Sequence, residues 1–147
     1  MTFVVDSSVA LTWCFAEEQT QATTSLLDQV TNSGAIAPAH WPLELLNALL
    51  AAERQKRIDF DTRNILIEAL RALPISIDTE TVSQAWTTTN RLAEQHQLTI
   101  YDACYLELAQ RLELPLATLD SDLRKAAKAL GIPLMGAPED PVFDSIP

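Results

Sequence analysis

The chain has 147 residues, 48% of them hydrophobic, close to the ~150 of one compact domain and too apolar for intrinsic disorder. Its three glycines, Gly34, Gly131 and Gly136, leave no room for a Gly-rich phosphate loop, and two cysteines, Cys14 and Cys104, cannot make a disulfide scaffold. Ten Lys and Arg against 20 Asp and Glu give a net charge of −10, which disfavours non-specific grip on nucleic acid, where phosphate contacts dominate affinity.

Phe3-Val4-Val5 is a short apolar run ending at Asp6 and predicts a buried strand, after which Asp6-Ser7-Ser8 offers capping chemistry to a helix over 9–15. A helix over 20–30 ends near Gly34, and 35–37 reads as a second strand. The next helix spans 41–57 with Pro42 in its first turn, where a missing N–H is harmless. A helix over 62–73 stops at Pro74, a third strand follows at 75–77, and Asp78 and Thr79 can cap a helix to about residue 95. Helix 101–112, strand 116–119, helix 120–130 closed by Gly131, and strand 132–135 complete the domain over 1–136. The tail 137–147, with Pro138, Pro141 and Pro147, reads as loosely ordered. Fully apolar strands alternating with helices predict a three-layer α/β/α domain with a short, mostly parallel sheet. No run approaches the ~18 apolar residues of a membrane span. The N-terminus lacks the basic region of a signal peptide, so a cytoplasmic location without membrane is expected.

Ligands of open parallel sheets bind beyond the carboxyl ends of the strands. Asp6 follows the first strand, Asp120 the fourth, and Asp122 lies two residues on. Taken singly, each Asp reads more readily as an N-cap than as a site residue, and Asp78 reads as a cap only. Glu44 lies in Trp41-Pro-Leu-Glu-Leu-Leu-Asn-Ala-Leu-Leu, apolar nearly all round and expected to be buried, with Asn47 on the same face. Residues 1–53 hold no Lys or Arg, so its carboxylate needs a distant arginine or a cation. Asp102 stands in another apolar context, Tyr101-Asp-Ala-Cys-Tyr-Leu, where a first-turn acid favoured by the helix dipole is the alternative. Four carboxylates converging on one crevice would repel one another unless a cation joined them, and Mg2+ or Mn2+ suits an all-oxygen set. Such an ion activates water and steadies the leaving oxygen of a phosphodiester.

Val4-Val5-Asp6-Ser7-Ser8, Glu44-Leu-Leu-Asn47-Ala-Leu, Tyr101-Asp102-Ala103 and Ala117-Thr118-Leu119-Asp120-Ser121-Asp122, in this order, resemble the motifs of PIN domains. Length and spacing are similar to the toxin ribonucleases of VapBC-type toxin–antitoxin pairs. The resemblance implies an Mg2+- or Mn2+-dependent endoribonuclease with Asp6, Glu44, Asp102 and Asp120 as its catalytic acids. Asp6, Asp102, Asp120 and the additional Asp122 would be the metal positions, and Ser7, Asn47 and Thr118 the supporting polar ones. It further implies an RNA substrate, a cognate antitoxin whose basic C-terminal segment meets the acidic crevice, and a homodimer. A non-catalytic interaction domain of the same fold and a metal-dependent phosphatase are the alternatives.

Other patterns are bland. His40 and His96 make no zinc spacing with two lone cysteines and read as solvated or capping residues. No G-x-S-x-G elbow exists. Arg124, Lys125 and Lys128 read as a solvated helix face, and Trp13, Trp41 and Trp86 as core or interface.

Overall fold

The computed structural model describes residues 2–141. Five short strands lie in one sheet: β1 (Val4–Val5), β2 (Ala35–Ala37), β3 (Ile75–Ile77), β4 (Leu116–Ala117) and β5 (Leu134–Met135). Their order is β3-β2-β1-β4-β5, and every pairing is parallel. Val4, Val5, Leu116 and Ala117 are wholly buried, as expected of central parallel strands covered on both faces. The connections are helical: α1 (Ser7–Cys14) and α2 (Gln21–Ser33), then α3 (Trp41–Arg54) and α4 (Phe60–Arg71). After β3 come α5 (Thr81–Gln84), α6 (Asn90–His96) and α7 (Ile100–Leu112), and α8 (Ser121–Ala129) joins β4 to β5. The result is the expected three-layer α/β/α fold. From β1 the sheet grows one way through β2 and β3; β4 returns to the other side of β1, so the switch point lies between β1 and β4.

α7 is the central helix, packed on β1, β4, α6 and α8, and its residues Ala103 to Ala109 are all buried. α3 is less enclosed than its composition suggests. Trp41, Leu45, Leu49 and Ala52 form one buried stripe, while Leu43 is 68% and Leu46 42% exposed. It ends three residues early, with Lys56 in the left-handed region at φ 62°. The helix expected to run to residue 95 is interrupted by a π-helical stretch, Ala85–Thr89, in which Thr89 is buried. That stretch carries Trp86 outward at 83% exposure, which removes it from the core. Trp41 is buried, and the half-buried Trp13 donates its indole N–H to the Thr23 carbonyl at 2.8 Å. Burial pushes the Cys14 and Cys104 thiols up to about 11. Among the described residues no helix is long and apolar enough to cross a membrane.

Two expectations about charge are corrected. Asp78 is not a helix cap: it is buried, accepts from the Arg111 guanidinium at 2.7 Å and from the Thr81 hydroxyl at 3.0 Å. Arg111 also holds the buried Glu107 at 2.7 Å and Glu80 at 3.2 Å. Burial alone would raise the Asp78 carboxyl, but the bonds from Arg111 and Thr81 outweigh it and hold it below its ordinary range. Arg124 is not on a solvated face either. It is buried, donates to the Thr118 carbonyl at 2.8 Å and pairs with Asp140. Asp140 in turn accepts from the Ala137 amide at 2.9 Å, so residues 137–141 pack against α8; residues 142–147 of the tail lie outside the described residues.

Replacing Arg111 with Met keeps the packing of the stem and strands the carboxylates of Asp78 and Glu107. The expected loss is about 3 kcal/mol near neutral pH, the penalty of an uncompensated buried charge. Because the Asp78 pKa is lowered in the folded state, the wild-type advantage exists above its ordinary value and fades as pH falls. Urea melts of both proteins at several pH values measure it; equal stability at neutral pH contradicts it.

Candidate active site

Asp6 is the first residue after β1 and occupies the N-cap position of α1, yet its side chain caps nothing. It is 3% exposed and accepts from the Ser8 and Thr118 hydroxyls, each at 2.7 Å. Both hydroxyls also accept: Ser8 Oγ from the Leu119 amide at 3.0 Å, Thr118 Oγ1 from the Asp120 amide at 3.1 Å. Two relays therefore stitch the turn after β1 to the turn after β4, across the switch point. Asp120 does cap, accepting from the Leu123 amide at 2.9 Å. The capping and site readings thus separate at Asp6 and coexist at Asp120.

Glu44 comes from the first turn of α3 and is half-buried. No arginine reaches it among the described residues. Its Oε1 accepts from the Tyr105 hydroxyl, and His40 Nε2 stands 3.4 Å from the same oxygen without hydrogen-bond alignment. The His40 ring meets Tyr105 edge-on at 5.2 Å and Tyr101 at 5.7 Å. Ser7 donates to Asp6 Oδ1 at 3.5 Å and lies beside Glu44. Asp102 sits in the first turn of α7, its amide held by the Thr99 hydroxyl at 3.1 Å. Asn47 is exposed one turn beyond Glu44 and makes no hydrogen bond to the cluster.

The acids also act on one another electrostatically. Burial raises the Asp6 carboxyl, and repulsion from Glu44 and Asp120 adds to it. Burial raises Glu44 too, with Asp102 contributing. Asp102 is raised by burial and then by Asp120, Asp6 and Asp122. Burial lowers His40 in spite of Asp6 and Asp102 nearby. So Asp6, Glu44, Asp102 and Asp120 converge, Asp122 stands at the rim, and Ser7 and Thr118 lie within. His40, Tyr105 and Ser8 were not expected there. Spacing carried a faint signal: His40 precedes Glu44 by one helical turn, and Tyr105 follows Asp102 by one.

The donor set, carboxylates with hydroxyls and no sulfur, suits Mg2+ or Mn2+, and the raised carboxyls are those an added positive charge would relieve. As oriented, no three His, Cys, Asp or Glu side chains among the described residues are grouped tightly enough for one ion. Their oxygens are turned to protein donors, Asp6 to two hydroxyls, Glu44 to a phenol and Asp120 to an amide. The side chains fit the ion in chemistry and would turn to meet it.

The architecture is a parallel α/β/α sheet with acids gathered at its switch point. Residues 3–129 match the PIN domain, and the chain belongs to that family. Its fold is similar to PAE2754 from Pyrobaculum aerophilum, at 20% identity over 91% of this chain and 89% of that one, TM-score 0.67. It is similar to FitAcB from Neisseria gonorrhoeae, at 17% identity over 91% and 96%, TM-score 0.64. A third likeness is to VapC20 of Mycobacterium tuberculosis, a sarcin–ricin-loop-cleaving toxin, at 14% identity over 84% and 94%, TM-score 0.58. Comparison with curated protein sequences gives no match.

Raised carboxyls make a signed prediction. A carboxyl whose folded pKa exceeds its unfolded value costs stability as pH rises from the unfolded value through the folded one. For Asp102 that loss begins near its ordinary 3.8. In chelator, Asp102→Asn should therefore melt like the wild type near about pH 4 and gain on it toward about pH 7. Millimolar Mn2+ should stabilise the wild type more than the variant, since binding to the native state raises stability by mass action. Thermal melts decide it. A variant less stable throughout, with an undiminished Mn2+ response, returns Asp102 to a first-turn structural role.

Proposed function

We propose that this PIN domain is an Mg2+- or Mn2+-dependent endoribonuclease, the toxin of a toxin–antitoxin pair. The observation that carries the reading is the convergence of Asp6, Glu44 and Asp102, each with a raised carboxyl, beside Asp120 and with no Lys or Arg among them. The likeness to FitAcB and to a toxin described as cleaving the sarcin–ricin loop supports it.

Asp6, Asp102 and Asp120 would hold the ion, with Asp122 at the rim. When bound, the ion supplies the positive charge the protein lacks there, lowering the pKa of attacking water and stabilising the leaving oxygen. The chain itself does the positioning. Ser8 and Thr118 fix the Asp6 carboxylate. The Tyr105 phenol occupies Glu44 Oε1, leaving Oε2 to accept a proton from water aimed at the scissile phosphorus.

The purified protein should cleave a structured RNA with Mg2+ or Mn2+ and stop in chelator. Asp6→Asn should lose about 100-fold or more in rate, the scale of removing one preorganised charged group. Hydrolysis of a small phosphomonoester but not of RNA would point to a phosphatase. Activity on neither would point to an interaction domain.

The partner we propose is an antitoxin whose basic C-terminal segment enters the same acidic cluster and neutralises it. Removing the Lys and Arg of that segment should restore cleavage in a mixture of the two proteins. Inhibition that persists after all are removed contradicts this. We further place the protein in the cytoplasm as a homodimer, for which the exposed Leu43, Phe60, Ile65, Val82 and Trp86 supply apolar contact surface.

A further inference from the structure

The proposed nuclease leaves one requirement open: an acidic protein must still hold a polyanionic strand beside its catalytic acids. Five of the ten Lys and Arg are already engaged. Arg57 pairs with Glu17 and Glu18, Arg63 with Glu53, and Arg71 with Glu68. Arg111 pairs with Asp78, Glu80 and Glu107, and Arg124 with Asp140 and Glu139. Among the described residues the other five have no carboxylate partner. Arg54 and Lys56 lie at the far end of α3, ten or more residues and about 15 Å of helix from Glu44. Lys125 differs, because it lines a cleft that also contains a site acid.

That cleft, of about 380 Å3, lies between the C-terminal end of α6 and α8 and is lined by Gln95, His96, Gln97, Asp122 and Lys125. Its size falls within the ~300–1,000 Å3 of small-molecule sites. Asp122 and Lys125 are one turn apart on the same face of α8. Asp122 lies in the first turn of α8, two residues after the capping Asp120, so the cleft begins beside the acid cluster. On its other wall, Gln97 stands two residues before Thr99, which caps the helix that bears Asp102. Beside the Asp122 carboxylate, the cleft therefore offers one ammonium without a carboxylate partner among the described residues, two carboxamides and an imidazole.

We propose that this cleft is the subsite for the nucleotide flanking the scissile bond. The Lys125 ammonium takes the flanking phosphate, and the carboxamides of Gln95 and Gln97, which both donate and accept, hydrogen-bond the exposed edge of an unpaired base. This assignment rests on the nuclease reading and adds to it the place where the strand is gripped.

The test compares wild type, Lys125→Ala, Gln97→Ala and, as a distant control, Lys56→Ala, each checked by thermal melt. Two substrates are used: RNA loops differing in the flanking base, and bis(p-nitrophenyl) phosphate, a small diester with no flanking nucleotide. Lys125→Ala should raise KM for RNA several-fold and reduce the slope of log KM against log salt by about 0.7, one single-strand phosphate contact. Gln97→Ala should narrow the differences between flanking bases. Both should hydrolyse the small diester at the wild-type rate, and Lys56→Ala should match wild type throughout. If wild type cleaves RNA while Lys125→Ala and Gln97→Ala retain its KM, salt slope and base preference, the subsite is overturned and the nuclease reading stands. If those variants lose only inhibition by the partner protein, the cleft is a protein contact and the subsite is again overturned. If wild type cleaves neither substrate with Mg2+ or Mn2+, the nuclease reading falls, and the subsite with it.

Discussion

Taking a carboxylate out of water costs several kcal/mol unless other groups replace the lost hydration. Asp6 bears that cost at the end of the central strand, where it is 3% exposed. Its two compensating hydroxyls, Ser8 and Thr118, belong to different strand–helix turns, and each accepts a second hydrogen bond from a backbone amide after β4. The geometry of the β4–α8 turn, and so the position of Asp120, is set by the need to satisfy Asp6. Fold and site are one hydrogen-bonded unit at the switch point.

The molecule contains two acidic clusters that behave oppositely. Around Arg111, three carboxylates converge on one guanidinium, and the Asp78 carboxyl is held low. Around Asp6, carboxylates converge on hydroxyls, a phenol and one another, and three of them are raised. Residue type does not distinguish the two; the presence of an internal cation does. The first cluster is complete as a structural device, whereas the second favours binding of positive charge.

Much of this was legible in the linear order of residues. Apolar strands ending at Asp6 and near Asp120 follow from the periodicity of a parallel sheet, and the isolation of Glu44 follows from the lack of any Lys or Arg before Arg54. What escaped were pairings between distant elements. Tyr105 meets Glu44 across 61 positions, and Arg111 meets Asp78 across 33; neither separation leaves a local pattern. Arg124 read as solvated because its partner, Asp140, comes from a tail whose prolines suggest looseness. Helix α3 read as fully enclosed because composition counts apolar residues without revealing whether anything covers Leu43 and Leu46.

The bond between Asp6 and Thr118 joins groups 112 positions apart, which bears on when the site can exist during synthesis. A growing chain that has emerged through α7 already contains Asp6, Glu44 and Asp102, but neither the hydroxyl that completes the Asp6 shell nor Asp120. Closing so long a loop is worthwhile only when β4 docks beside β1. The unfinished polypeptide therefore holds most of the chemistry without the arrangement, and the site is completed only once the segment from β4 through Asp120 has emerged and docked beside β1.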